Sequence, residues 1–319
     1  MPEDLVLHLG RLPNELIVSI FTWAASSSTE TCLALTLVAS WVRDLALPYL
    51  LDTVVFRHIV QLMHFKQFVQ RHSRYASLVR NICTRTAVIH PQNSTVLYDV
   101  IRACANVNSI VMHPVDFAYF AICWQLYPAF PLPRELHFTL AGPDYVQEVG
   151  PYPGATISGN EFFTLALESL GSRLTMNPPG PTSLFSTVTR LDMTGPFNFK
   201  PRPFTRNLFR SFSQLTHLKI PFECGTPAAE LSRICAIRCL AHKPLVLLVL
   251  AINNEQSYED AAFAEWFWQV RERDGRLCVT RTQYTVQDWD GAFERGMNIW
   301  DEAIRETEQW DLSRAFSLP

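Results

Sequence analysis

Short β-branched or Leu-rich runs recur along most of this chain at a near-constant spacing, each separated from the next by a stretch with helical periodicity. The runs begin at Arg80, Asn108, Arg134, Val188, Leu215, Val246 and Arg276, with separations of 28, 26, 54, 27, 31 and 30 residues. The longest gap is twice 27, which predicts one repeat whose strand has lost its signature between Phe162 and Leu170. Apolar residues at helical spacing predict the intervening helices: Ile59, Leu62, Met63 and Val69 in one, Val96, Leu97, Val100, Ile101 and Cys104 in another. One strand-plus-helix unit of this length cannot bury its own apolar face and must stack on its neighbours. The expected product is an α/β chain with parallel strands on one face, helices on the other and right-handed crossovers between them. An ordinary two-layer α/β domain is the alternative.

Composition narrows what such an array can do. At 319 residues and 48% hydrophobic, the chain can bury a core without metals or disulfides. None of its eight cysteines forms a CxxC pair, so they read as reduced, buried, small hydrophobes. A net charge of −3 gives phosphate attraction no global support, and no nucleic-acid partner is expected. The stretch Phe197 to Phe212 interleaves Lys200, Arg202, Arg206 and Arg210 with Phe199, Phe204 and Phe209, and reads as a solvated helix edge or a partner for the acidic C-terminal helix. The longest strongly apolar run, Pro244 to Ile252, is about half the ~20 residues a membrane helix needs. No membrane partner is expected, and the reading is an intracellular protein, cytoplasmic or nuclear or both. The Pro- and Gly-rich stretches Gly142 to Gly159 and Asn177 to Pro181 read as loops. An acidic helix is predicted from about Gln287 to Trp310, with Trp289, Phe293, Met297, Trp300 and Ile304 as its apolar stripe.

The first fifty-six residues differ from the rest. Leu12-Pro13-Asn14-Glu15-Leu16 opens a helix with Pro in the first turn, where a missing N–H costs little. Leu16, Ile17, Ile20, Phe21 and Ala24 follow at helical spacing. Ser27 and Glu30 suggest a capping box for a second helix running through Leu33, Leu37 and Val38 toward Trp41. Pro48 is expected to stop a third short helix, before a first strand at Thr53-Val54-Val55-Phe56.

Leu12-Pro13-x-Glu15-Leu16-x-x-x-Ile20-Phe21, followed by Leu37-Val38-Ala39-Ser40-Trp41-Val42-Arg43-Asp44-Leu45-Ala46-Leu47-Pro48, resembles the F-box, and most closely the large F-box families of mushroom-forming fungi. Ala39-Ser40 stand where that family often has a polar and then a basic residue. The repeats resemble leucine-rich repeats, without the Asn that such repeats place after the strand. The resemblance implies an F-box-like helical module over 8–56, an irregular leucine-rich-repeat-like α/β solenoid over 57–286, and an acidic C-terminal helix and tail over 287–319. It also implies a Skp-type adaptor partner and, through it, a cullin. Carried over residue by residue, Leu12 and Pro13 match the family's first contact with the adaptor. Leu16, Ile17, Ile20 and Phe21 match its first helix, and Val38 and Trp41 its second and third. The implied function is that of a receptor delivering a protein substrate to a ubiquitin ligase. The competing expectation is a repeat scaffold whose first helices only cap the array.

No GxSxG, HExxH, GxxxxGK or GxGxxG occurs, and no catalysis or cofactor is expected. Cys224, Cys235, Cys239 and His242 have zinc-ligand chemistry, but the last three lie in line with Leu231 at core spacing and read as packed interior. Candidate target-binding positions on the strand face are Asn81, Thr139, Asp192, Lys219 and Asn253.

Overall fold

In a computed structural model, residues 12–84, 94–112, 135–139, 146–148, 156–158, 187–194, 201–222, 227–252, 260–281 and 299–317 are described. Three helices open the chain: α1 (Asn14–Ser27), α2 (Thr29–Leu35) and α3 (Ser40–Asp52). An α/β region follows, with β1 (Thr53–Phe56), α4 (Ile59–Arg71), α5 (Ser73–Ala76), β2 (Asn81–Thr84), α6 (Ser94–Ala103), β3 (Ser109–Met112) and β4 (Glu135–Thr139). After β4 come β5 (Val146–Glu148), β6 (Thr156–Ser158), β7 (Arg190–Thr194), α7 (Pro201–Ser211) and β8 (His217–Phe222). The chain closes with α8 (Pro227–Leu240), β9 (Leu247–Ile252), α9 (Ala261–Arg273), β10 (Leu277–Thr280) and α10 (Ile299–Ser317).

Every strand-like run identified in the sequence is a strand. Eight of the strands form one sheet in the order β1-β2-β3-β4-β7-β8-β9-β10, and every neighbouring pair is parallel. Chain order is therefore sheet order, without the reversal that a doubly wound sheet requires. The side chains that alternate inward, such as Ile82, Ile110, Leu191, Leu218, Leu248 and Leu277, share one core with Leu62, Val100, Leu208, Cys239 and Phe263 of the helices. α4, α6, α7, α8 and α9 thus cover the same face of the sheet.

A recurring turn sets the spacing. A buried Val or Leu two residues before each of β2, β3, β8 and β9 closes a tight turn, its N–H donating to the carbonyl three residues earlier. These residues are Val79, Val107, Leu215 and Leu245. Successive turns are stitched by Asn108 N–H to Arg80 O at 2.7 Å, Thr216 N–H to Thr189 O at 2.8 Å and Val246 N–H to Thr216 O at 2.7 Å. The sequence period is the length of chain needed to return to that stitch.

Several expectations are corrected. Across the gap of 54 residues β4 and β7 pair directly, with His137 opposite Asp192, so no described strand stands between them in the sheet. The stretch expected to be a loop from Gly142 to Gly159 contains an antiparallel pair, β5 with β6. The repeat expected at Phe162 to Leu170 and the loop Asn177 to Pro181 lie outside the described residues. Pro13 is the residue before α1, with its carbonyl accepting from Leu16 and Ile17 N–H. Pro48 lies within α3, which runs on to Asp52 because buried Val42, Ala46 and Leu51 hold it from both sides of the proline. The capping residue of α2 is Ser28, not Ser27: its hydroxyl accepts from Thr31 N–H at 3.1 Å, whereas Ser27 donates to Ala24 O. Ser28→Ala should lower stability by about 1 kcal/mol in urea unfolding, whereas Ser27→Ala should leave it unchanged.

The second face of the sheet is also buried. Cys83, Val111, Leu247, Val249 and Cys278 form a cluster there with Ile299, Trp300 and Ala303 of α10. Further along, α10 closes the edge of the sheet. Thr307 Oγ1 accepts from Val279 N–H at 2.9 Å, and Arg281 N–H donates to Glu306 Oε2 at 2.8 Å. An open edge is a template for association, and side chains of α10 satisfy donors that this one would otherwise present. Trp310 then packs beside Phe263, Phe267 and Trp268 of α9, and Arg271 pairs with Asp311 at 3.3 Å. Ile304, expected in the apolar stripe, faces outward, and Trp289, Phe293 and Met297 lie outside the described residues.

Two expected target-binding positions are therefore not on a surface. Asp192 and Lys219 are each 1% exposed and form an ion pair at 3.4 Å between β7 and β8. Asn81 is half-buried, its amide donating to Asp52 Oδ2 and Thr53 Oγ1 at 3.1 Å. The Thr139 side chain and Asn253 fall outside the description. No described helix is long and apolar enough to cross a membrane.

Candidate interaction surface on the amino-terminal helices

The first three helices pack on one another with little to bury. Their core is Ala25, Cys32 and Ala46, joined by half-buried Leu35 and Leu50. The Cys32 thiol donates to Ala46 O at 3.1 Å, and burial pushes its pKa up. Small residues here let the helices approach closely, so larger apolar side chains are forced outward.

The outward side chains fall into a pattern. On α1, Ile17 and Phe21 are half-buried and Ala25 buried, while Leu16, Ile20 and Trp23 are exposed. Leu16, Ile20 and Trp23 are spaced i, i+4 and i+7, which sets them in one stripe on the side away from the core. Exposure rises to 75% at Trp23. The helix thus carries two apolar faces, of which its own module uses one.

The corner between α2 and α3 adds a second outward group. Tight turns through Thr36, Leu37 and Val38 end α2 early, so the expected continuous helix toward Trp41 does not form. Ala39 is extended and α3 restarts at Ser40. Arg43 holds the corner, its Nε donating to Thr36 O at 2.9 Å. Leu37 is 83% and Val38 61% exposed as a result. Trp41 is half-exposed and meets Phe21 edge to face, with ring centroids 5.3 Å apart, so α1 and α3 share one aromatic joint. Leu12 and Pro13 lie exposed just ahead of α1.

Of the predicted site residues, Leu12, Pro13, Leu16, Ile20, Val38 and Trp41 are exposed, whereas Ile17 and Phe21 are half-buried and act partly as scaffold. Trp23 and Leu37 are the most exposed large apolar side chains among those described and were absent from the predicted set. The i+7 step from Leu16 was the legible signal for Trp23. Ten of the sixteen exposed large apolar residues among those described lie between Leu12 and Tyr49, so exposed apolar surface is concentrated at this end.

The module joins the sheet without a linker. Asp52, the last residue of α3, accepts Arg80 N–H at its carbonyl and the Asn81 amide at its carboxylate. Burial raises the carboxyl's pKa, opposed by bonds from Thr53 and Asn81 and by the Arg80 charge.

The residues weighed for chemistry lie in packed surroundings. Cys235 and Cys239 are free and buried, and the hydrogen bond between their side chains together with burial raises the Cys239 pKa well above the ordinary thiol range. The His242 ring stacks on Phe209 at 3.9 Å, and burial with the Arg276 charge lowers its pKa. Cys224 lies outside the described residues, among which no group of three His, Cys, Asp or Glu side chains could hold a metal. Phe204 and Phe212 of the basic stretch are buried and Phe209 is occupied by His242, so these rings offer no stacking platform. Among the described residues the acidic helix pairs with Arg271, and α7, which carries part of the basic stretch, packs on α8. No protein-family model, curated protein or solved structure matches this chain.

Proposed function

We propose that this protein is a non-catalytic substrate receptor of the F-box type. In this reading α1 to α3 dock on a Skp-type adaptor and through it on a cullin, and the parallel α/β array is an irregular leucine-rich-repeat-like solenoid that carries the target. The observation behind it is the exposed Leu16, Ile20 and Trp23 stripe, lying beside the Leu12-Pro13 motif and ahead of Val38 and Trp41. Large apolar and aromatic side chains dominate interface energetics, and here they are already held outward by a rigid small-residue core. The receptor acts by raising effective concentration: the target's lysines are held near a conjugating enzyme bound elsewhere in the ligase.

The direct test is binding of the full chain to a purified Skp-type adaptor by calorimetry. Ile20→Asp and Val38→Asp should each weaken binding by at least about 2 kcal/mol. Both positions are exposed, so the thermal midpoint should stay within the range of ordinary surface changes, about 0.5 kcal/mol in stability. An adaptor that ignores the parent chain, or binds both variants as tightly as the parent, rejects the reading. The scaffold alternative draws on the junction at Asp52, which welds α3 to the first two strands as an end cap would. It requires that the same two variants change nothing measurable beyond stability.

A further inference from the structure

Charge is unevenly distributed along this chain. Between Thr53 and Tyr98 six Lys and Arg stand with no Asp or Glu, although acids outnumber bases over the whole chain by 30 to 27. Within this block and at its border, Arg71 ends α4, Arg74 lies in α5, Arg80 precedes β2 and Arg102 lies in the last turn of α6. All four are exposed, and none makes an ion pair among the described residues. Lys219, Arg271 and Arg276, by contrast, pair with Asp192, Asp311 and Asp274. Lys66 on Asp99 at 2.6 Å and the Asn106 amide on Ser77 O at 2.8 Å lock the first two repeats side by side. The four arginines therefore share the end of the array where helices turn into strands. Arg74 is fixed further: its guanidinium lies over the Tyr75 ring at 4.5 Å, and that ring stacks on Phe68. Part of this charge serves the fold, since a helix carboxyl end presents about half a negative charge. The ends of α4 and α6, with Asp52 whose carbonyl accepts Arg80 N–H, offset about two of the four charges, and about two remain.

We propose that this end of the first two repeats, from Arg71 and Arg74 across Arg80 to Arg102, is a docking surface for a short acidic peptide segment of a partner protein. The receptor reading adds only that the partner is a target. Carried on three helices and a turn, the guanidinium groups are spread over two repeats, which suits a run of carboxylates better than one small anion. The flanks limit its length. Residues 1–52 hold six acids against two bases, and residues 99–319 hold 24 against 19. Chain order is sheet order, so these flanks are neighbours in space, and a long polyanion such as RNA would run onto like charge. On the outward side of α4, exposed Val60 and Met63 fall in line with Gln67 and Arg71, which gives an apolar side chain of the same segment a place to rest. Attraction between exposed charges supplies selection and speed of encounter, and salt screens it.

The test uses the full chain in about 0.15 M salt and a fluorescent peptide rich in Asp and Glu, compared with the same peptide carrying Asn and Gln in their places. The acidic peptide should bind at least about tenfold more tightly than the amide one, and more salt should weaken it. Arg71→Glu combined with Arg102→Glu should weaken binding at least about tenfold. Arg206→Glu combined with Arg210→Glu makes an equal change in net charge at exposed positions of α7, and should leave binding within about twofold of the parent. Equal losses in the two double variants would mean attraction to net charge alone, which overturns the proposal. Equal binding of the two peptides overturns it too, and so does tighter binding of a single-stranded RNA of the same charge, which would mark a nucleic-acid surface. Should a variant fail to fold, amide hydrogen exchange of the parent chain with and without the acidic peptide decides. Protection should appear over 71–80 and 102–108 and not over 206–210, and any other pattern rejects the surface. No step uses the adaptor, so failure of the receptor reading would be seen separately in the calorimetry.

Discussion

Lys219→Met should cost the folded chain about 3–5 kcal/mol, because it leaves the Asp192 carboxylate in a place that water does not reach. Both side chains are 1% exposed and their charged atoms lie 3.4 Å apart. The loss comes from taking the counter-charge away from a buried carboxylate rather than from the strength of the pair. Removing both charges together, as in Lys219→Met with Asp192→Leu, should therefore recover most of the stability. Urea unfolding of the parent, the single and the double variant checks both statements. A single variant within about 1 kcal/mol of the parent would show that the pair is hydrated and that the strand face is open.

Phe263→Ala should be comparably damaging, at about 3–5 kcal/mol, for a different reason. Phe263 is fully buried, and its ring lies 5.0 Å from Phe222 of β8, 5.9 Å from Phe267 and 6.1 Å from Trp310. It is the point at which a strand, the helix beneath it and the carboxyl-terminal helix meet. Truncation leaves a cavity that three elements would have to close at once, so little relaxation is available. The urea midpoint should fall with the slope unchanged, and Cys278 should become easier to modify because Trp310 loses part of its seat. Loss of stability with no change at Cys278 would separate α10 from the aromatic cluster.

The strands were legible because a buried parallel strand needs a short run of apolar and β-branched residues whatever surrounds it. Helix ends were less so. Pro48 carries a stop signal, yet α3 passes through it because packing at Val42, Ala46 and Leu51 outweighs the local cost. The hairpin of β5 and β6 stayed hidden behind Gly and Pro residues that also suit plain loops. The candidate surface was half legible. Leu16 and Ile20 were identified from the motif, while Trp23 escaped because a helix that is apolar on two sides does not declare which one its neighbours will cover.

The period of the chain, the strand in each repeat and the helical character of the first block follow from the sequence alone, since each depends on residues close to one another along the backbone. Only the tertiary structure could decide which of those residues meet water. Asp192 and Lys219 look like surface positions in any local window, and so do the acids of α10. Burial is a sum over contacts from distant parts of the chain, and here Trp300 and its neighbours arrive on the sheet from more than fifty residues beyond β8.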